Sequence, residues 1–141
     1  MILFFSETHF LLSKKRLVKN WLYNIIKLEK KKAGDINFVF YNDEQLLALN
    51  KLYLNHDTLT DIITFNYSEK KVLNADICIS VERVLENSKK YNCNFEEELR
   101  RVMAHGILHL CDYNDKKLEE KQLMKQKEEE ALLLFKTHCN Y

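Results

Sequence analysis

The chain predicts an α+β fold, a four-stranded, mostly mixed sheet packed with about five helices. Three observations carry that expectation. Short β-branched or aromatic runs alternate with longer segments of helical apolar spacing, in the order β-α-β-α-β-β-α-α-α. Two strand-like runs, at 61–66 and 75–79, are separated only by a polar stretch, the signature of an antiparallel neighbour pair. The 141 residues contain no linker, internal repeat or low-complexity segment, so a single domain over 1–141 is expected.

The elements follow in order. Residues 1–5 are apolar and read as a buried strand; they lack the basic flank and small-residue cleavage site of a signal peptide. Leu17, Val18, Trp21, Leu22, Ile25, Ile26 and Leu28 recur at helical spacing, with Ser13 as the expected cap and an end near Lys30. Lys30, Lys31 and Lys32 suit the negative end of that helix, and Gly34 is the expected left-handed stop. Residues 36–40 alternate as a strand. Asn42 with Gln45 forms a capping box before a short helix to about Leu52. The strand pair comes next, and Ser80 then caps a helix over about 81–91. Asn94 with Glu97 is a second capping box, opening a helix expected to end near Cys111. The last helix covers about 116–136. Leu118, Leu123, Ala131, Leu132 and Phe135 are its apolar side, and its Lys and Glu runs read as a solvated face.

Composition limits the function classes. Hydrophobic residues at 46% and charged residues at 30% suit a soluble globular domain. No apolar run reaches the roughly 18 residues of a membrane span. A net charge of +1 does not advertise a nucleic-acid binder, so any RNA contact must come from a local patch. The four cysteines, 78, 93, 111 and 139, form no CxxC pair, and a reducing, cytoplasmic setting is expected.

The chemistry concentrates at 100–115. His105 and His109 stand one helical turn apart and can grip one metal ion. Spacing alone is weak: five histidines in 141 residues give about 0.17 such pairs by chance, and two ordinary helix histidines are the alternative. Gly106 leaves room for water, substrate or close packing. It also stands where HExxH metallopeptidases carry their general base, which argues against a peptidase. Asp115 is the candidate third ligand, and it can equally cap the last helix. Asp112, Cys111 and His138 are rival ligands, with Cys139 beside the last of them near the terminus.

The run His-Gly-Ile-Leu-His-Leu-Cys-Asp-Tyr-Asn-Asp at 105–115 resembles the YbeY family of bacterial rRNA-maturation endoribonucleases, whose pattern reads H-G-x-L-H-L-x-G-Y-D-H. Thr60-Asp61-Ile62-Ile63-Thr64-Phe65 is similar to the family's T-D-V-L-S-F. Ala75-Asp76-Ile77-Cys78-Ile79-Ser80 is similar to its G-D-I-x-I-S. The resemblance implies a zinc-dependent, single-strand-specific endoribonuclease. It also implies an rRNA precursor as substrate, the small ribosomal subunit or assembly factors as partners, and neither membrane nor DNA. The family's three zinc histidines fall on His105, His109 and Asp115. A carboxylate there makes the metal a weaker Lewis acid than three histidines would.

Two further departures stand out. Asp112 replaces a glycine, at a turn that calls for positive φ. Leu54 falls where the family has an arginine, and His56 is the nearest substitute for it. Asp61 and Asp76 are candidate acid/base or supporting groups at the sheet end, with structural roles in the turn and hairpin as the alternative. Water or the ribose 2′-OH could attack the phosphodiester. Lys14, Lys15, Arg16, Lys70, Lys71, Lys89, Lys90, Arg100 and Arg101 are the local cations available for phosphates. A second reading is a ribosome-assembly RNA-binding protein whose metal is structural.

Overall fold

The computed structural model describes residues 1–138. Its elements appear in the expected order: β1 (Ile2–Ser6), α1 (Lys15–Leu28), β2 (Lys32–Tyr41), α2 (Asp43–Leu54), β3 (Ile62–Asn66), β4 (Val72–Ser80), α3 (Val81–Lys90), α4 (Phe95–Leu110) and α5 (Leu118–His138). The four strands lie in the order β1-β2-β4-β3. β1 and β4 run parallel to β2, and β3 runs antiparallel to β4. The sheet is therefore mixed, with its antiparallel strand at one edge. No described helix is long and apolar enough to cross a membrane.

Strand alternation decides what faces what. Ile36, Phe38 and Phe40 of β2 join Leu73, Ala75, Ile77 and Ile79 of β4 in the main core. The intervening Cys78 faces the other way, into a small cluster with Leu46 and Ile63 beneath α2. Over the main face lies α4, whose Leu99, Val102, Met103, Ala104, Ile107, Leu108 and Leu110 are all buried. Helices α1 and α5 flank it. The Trp21 indole N–H donates to the Ala131 carbonyl at 2.7 Å, tying those two helices together inside the core.

Gly106 is where α4 meets the sheet. A Cβ there would stand 3.0 Å from Ile62 Cδ1 and 3.2 Å from Ile77 Cγ2. The glycine thus serves close packing, and its partner is the sheet rather than another helix.

Several local expectations are corrected. Ser13 does not cap α1; the helix follows Lys14, left-handed at φ 54°, with no side-chain cap. Only Lys27 lies in the last turn of α1, and Lys32 already belongs to β2. The left-handed stop is Lys30 at φ 60°, not Gly34. The Lys31 amide donates to Ile26 O and the Lys30 amide to Lys27 O, which closes a Schellman turn. Gly34 sits within β2, where a Cβ would collide with the Asn74 side chain and stand 2.9 Å from Leu73 O. Packing, not φ, demands that glycine.

The capping box of α2 is complete, and Ser80 Oγ accepts from the Arg83 amide at 3.2 Å. Asn94 accepts from the Glu97 amide at 2.8 Å, while the Glu97 carboxylate pairs with Lys136. On α5, Leu118 and Leu123 are exposed; Met124, Ala131, Leu132 and Phe135 form the buried side.

The contact at Gly106 is testable. Gly106→Val places three carbons where the sheet leaves room for none, so stability should fall by at least about 2 kcal/mol. A urea midpoint equal to that of the parent protein would contradict the close approach.

Candidate metal centre

One face of α4 carries Glu98, Arg101, His105 and His109 in turn, spaced by three to four residues. The two imidazoles approach to 4.5 Å between ring centres, at 82° to one another. Just beyond, the chain reverses. The Tyr113 amide donates to Leu108 O at 3.1 Å and the Asp112 amide to His109 O at 3.1 Å, with Asp112 at φ 74°. This is a second Schellman turn, and Asp112 holds the left-handed position expected of it. The Tyr113 hydroxyl donates to Glu29 Oε1 at 2.6 Å and pins the turn to α1.

That reversal returns Asp115 to the histidines. Its Oδ2 lies 3.4 Å from His105 Nε2 and 3.4 Å from His109 Nε2. Among the described residues, His105, His109 and Asp115 form the group whose donor atoms could hold a metal, all within 4.8 Å of one another. Two donors each bonded at about 2.0–2.1 Å to a tetrahedral ion stand about 3.4 Å apart, so the donor set fits. Two nitrogens and one carboxylate oxygen leave a fourth position, and the Asp115 side chain is 42% exposed on that side.

Behind His105 the arrangement is closed. Its Nδ1 lies 2.6 Å from Glu128 Oε2, on α5. Burial opposes the charged ring, but the carboxylates of Glu128, Asp115 and Asp61 outweigh it, and the pKa of His105 is raised. Asp61 lies just before β3; its carbonyl accepts from the Ser80 amide at 2.9 Å and its Oδ2 from Asn87 Nδ2 at 3.4 Å. Burial raises the Asp61 pKa, with His105 partly offsetting it. Glu98 is likewise raised by burial, with Arg101 as the offset. These groups line one cleft of about 850 Å³ that runs from Asp115 along α4, with Lys121 and Lys125 on its α5 wall. Arg101 is engaged within it, 2.6 Å from Glu129 and 3.4 Å from Glu98.

The other candidates lie apart. Strand alternation puts Asp76 on the α2 face of the sheet, where its Oδ1 accepts from Asn37 Nδ2 at 3.0 Å; the expectation that it lines the sheet end beside the histidines is corrected. His56 is exposed in the loop after α2 and does not line the cleft. Asp112 turns to Lys31 Nζ at 3.5 Å. Cys111 is buried, with its thiol pushed up to about 12 by burial. Cys139 lies outside the described residues, as does the side chain of His138.

Glu128 is the residue that sequence reasoning missed. It hides in the acidic run 128–130, read as a solvated face. Its spacing could have revealed it: four after Met124, three before Ala131 and seven before Phe135, it falls on the buried stripe.

The thiols provide a check. Burial pushes Cys78 and Cys111 up to about 12, so iodoacetamide at mildly alkaline pH should modify Cys93 well ahead of both. Peptide mass spectrometry reads the order. Early labelling of Cys111 would reopen it as a ligand.

Comparison with known proteins gives the family and the fold. A family model described as Endoribonuclease YbeY matches residues 6–136. A Flavobacterium johnsoniae protein named Endoribonuclease YbeY is 49% identical over 135 residues, covering 96% of this chain and 97% of that one. Its namesake in Flavobacterium psychrophilum is 46% identical over 140 residues, covering 99% and 100%. The solution structure of TM1509 from Thermotoga maritima superposes with a TM-score of 0.69 at 28% identity, covering 96% of this chain and 89% of that chain. On the match over 6–136 and these identities, the chain belongs to the YbeY family.

Proposed function

We propose that the protein is a zinc-dependent, single-strand-specific endoribonuclease that acts on rRNA precursors in the cytoplasm, in contact with the small ribosomal subunit or its assembly factors. The observation that carries this reading is Asp115 Oδ2 at 3.4 Å from both histidine Nε2 atoms, in a cleft open to solvent. Family membership supports RNA as the substrate, since the relatives are named as endoribonucleases.

His105, His109 and Asp115 would hold the ion. When bound, it supplies Lewis acidity towards a water or a phosphate oxygen. The chain's own residues do the rest. Asp61, half-buried on the same cleft, has a carboxyl whose pKa is raised by burial, the direction that favours a proton-holding group beside the ion. Lys121 and Lys125 offer positive charge to phosphates along the cleft, fixing position rather than sequence. Asp76 and His56 have no part in this arrangement.

A second reading, an RNA-binding assembly protein with a structural metal, is favoured by Asp115 in place of a third histidine and by Leu54 in place of arginine. Cleavage separates the two. The zinc-loaded protein should cut single-stranded RNA, and His109→Ala should lower the rate by about 100-fold or more while the melting temperature holds. Binding without cleavage would favour the second reading.

The third ligand has its own measurement. Asp115→Ala should weaken zinc about 10-fold or more in a chelator competition, and Asp115→His should retain or tighten it. Unchanged affinity in Asp115→Ala would place the third donor elsewhere.

A further inference from the structure

We infer that Glu128 is a positioning residue of the metal centre, so that the C-terminal helix α5 is part of the site. This rests on the reading above that His105 Nε2 is a ligand.

His105 offers two ring nitrogens, and only one can face an ion. Nε2 points to Asp115 at 3.4 Å, and Nδ1 meets Glu128 Oε2 at 2.6 Å. An ionised carboxylate only accepts hydrogen bonds, so the ring proton sits on Nδ1. In the neutral ring the lone pair of Nε2 is then turned to Asp115 and the cleft. A free histidine side chain prefers the opposite tautomer, with the proton on Nε2, and that form cannot ligate through Nε2. Glu128 therefore selects the competent ring as well as its orientation.

Glu128 can do this because its own place is fixed independently. Its side chain is only 11% exposed. Three residues on, the Ala131 carbonyl accepts from the Trp21 indole at 2.7 Å, and Phe135 meets the Trp21 ring edge to face at 5.6 Å. Beside it, Glu129 holds Arg101 at 2.6 Å. Helix α5 thus keeps its register against α4 without the His105 contact.

The two histidines are not equivalent. Among the described residues no carboxylate meets His109 Nδ1, and the one acidic contact of its ring is with Asp115, through Nε2. His105 is held from both sides, and His109 from the ion's side alone.

The test uses full-length protein in two arms. In metal-free protein at alkaline pH, long-range 1H–15N NMR should show His105 protonated on Nδ1, and Glu128→Ala should shift the proton to Nε2. In chelator competition, Glu128→Ala should weaken zinc by about 10- to 100-fold and Glu128→Gln by less, because the amide oxygen still accepts the proton's bond. Glu129→Ala, one residue along, should leave zinc affinity unchanged. An unchanged tautomer, or unchanged zinc affinity in Glu128→Ala, would overturn the assignment. Equal weakening in Glu129→Ala would also overturn it, by reducing the effect to loosened helix docking. Unchanged affinity in His105→Ala would sink the metal reading itself, whatever Glu128 does to the tautomer.

Discussion

The cleft depends on one close approach, α4 lying against the sheet at Gly106. With Ile62 and Ile77 in contact there, the helix has no freedom to roll. Roll is what the chemistry needs fixed. His105 and His109 flank Gly106 on the same helix, and a modest rotation would carry both away from Asp115. Eight buried residues on the core side of α4, Glu98 of the cleft face left aside, set the same rotation. The candidate metal centre is therefore positioned by hydrophobic packing first and by polar contacts second.

The second constraint is the reversal after α4. Six residues separate His109 from Asp115, and a helix continuing over them would carry Asp115 about 9 Å along its axis. The Schellman turn at 111–113 sends the chain back instead. Its cost is a non-glycine residue at φ 74°. Asp112 bears that conformation more readily than most residues, and the Tyr113–Glu29 hydrogen bond steadies the turn from outside. Turn and ligand form one device: the left-handed residue matters because of where it delivers the carboxylate three positions on.

Much of this was legible in the sequence, for definite reasons. Apolar spacing, β-branched runs and caps together predicted the nine described elements, because each of these signals reflects burial or local chemistry. The asparagine and Ser80 caps were readable because a cap is local chemistry. So was the left-handed place of Asp112, since the resemblance put a glycine there. The failures share a cause: they turn on tertiary contacts. Lys30 rather than Gly34 takes the left-handed stop, because the glycine is needed where β2 crosses Asn74 and Leu73. Asp76 looked like a partner of Asp61 until its strand's alternation turned it to the α2 face. Glu128 looked like solvated charge, since an acidic run says nothing of which member faces inward.

That last residue bears on how an acidic cleft can serve an anionic substrate. Asp61, Glu97, Glu98, Asp115, Glu128 and Glu129 line it, against Arg101, Lys121 and Lys125. The guanidinium of Arg101 is already committed to Glu98 and Glu129. Burial raises the pKa of Asp61 and of Glu98, with His105 and Arg101 as the respective offsets. Glu128 and Asp115 stand one on either side of His105, where a divalent ion would meet opposite charge. A phosphodiester at this centre would meet less net negative charge with an ion held there than without one, and the lysines flank it in either case. On the function proposed above, the carboxylates that would favour the ion would also tie RNA binding to its presence, a coupling that a third histidine in place of Asp115 would weaken.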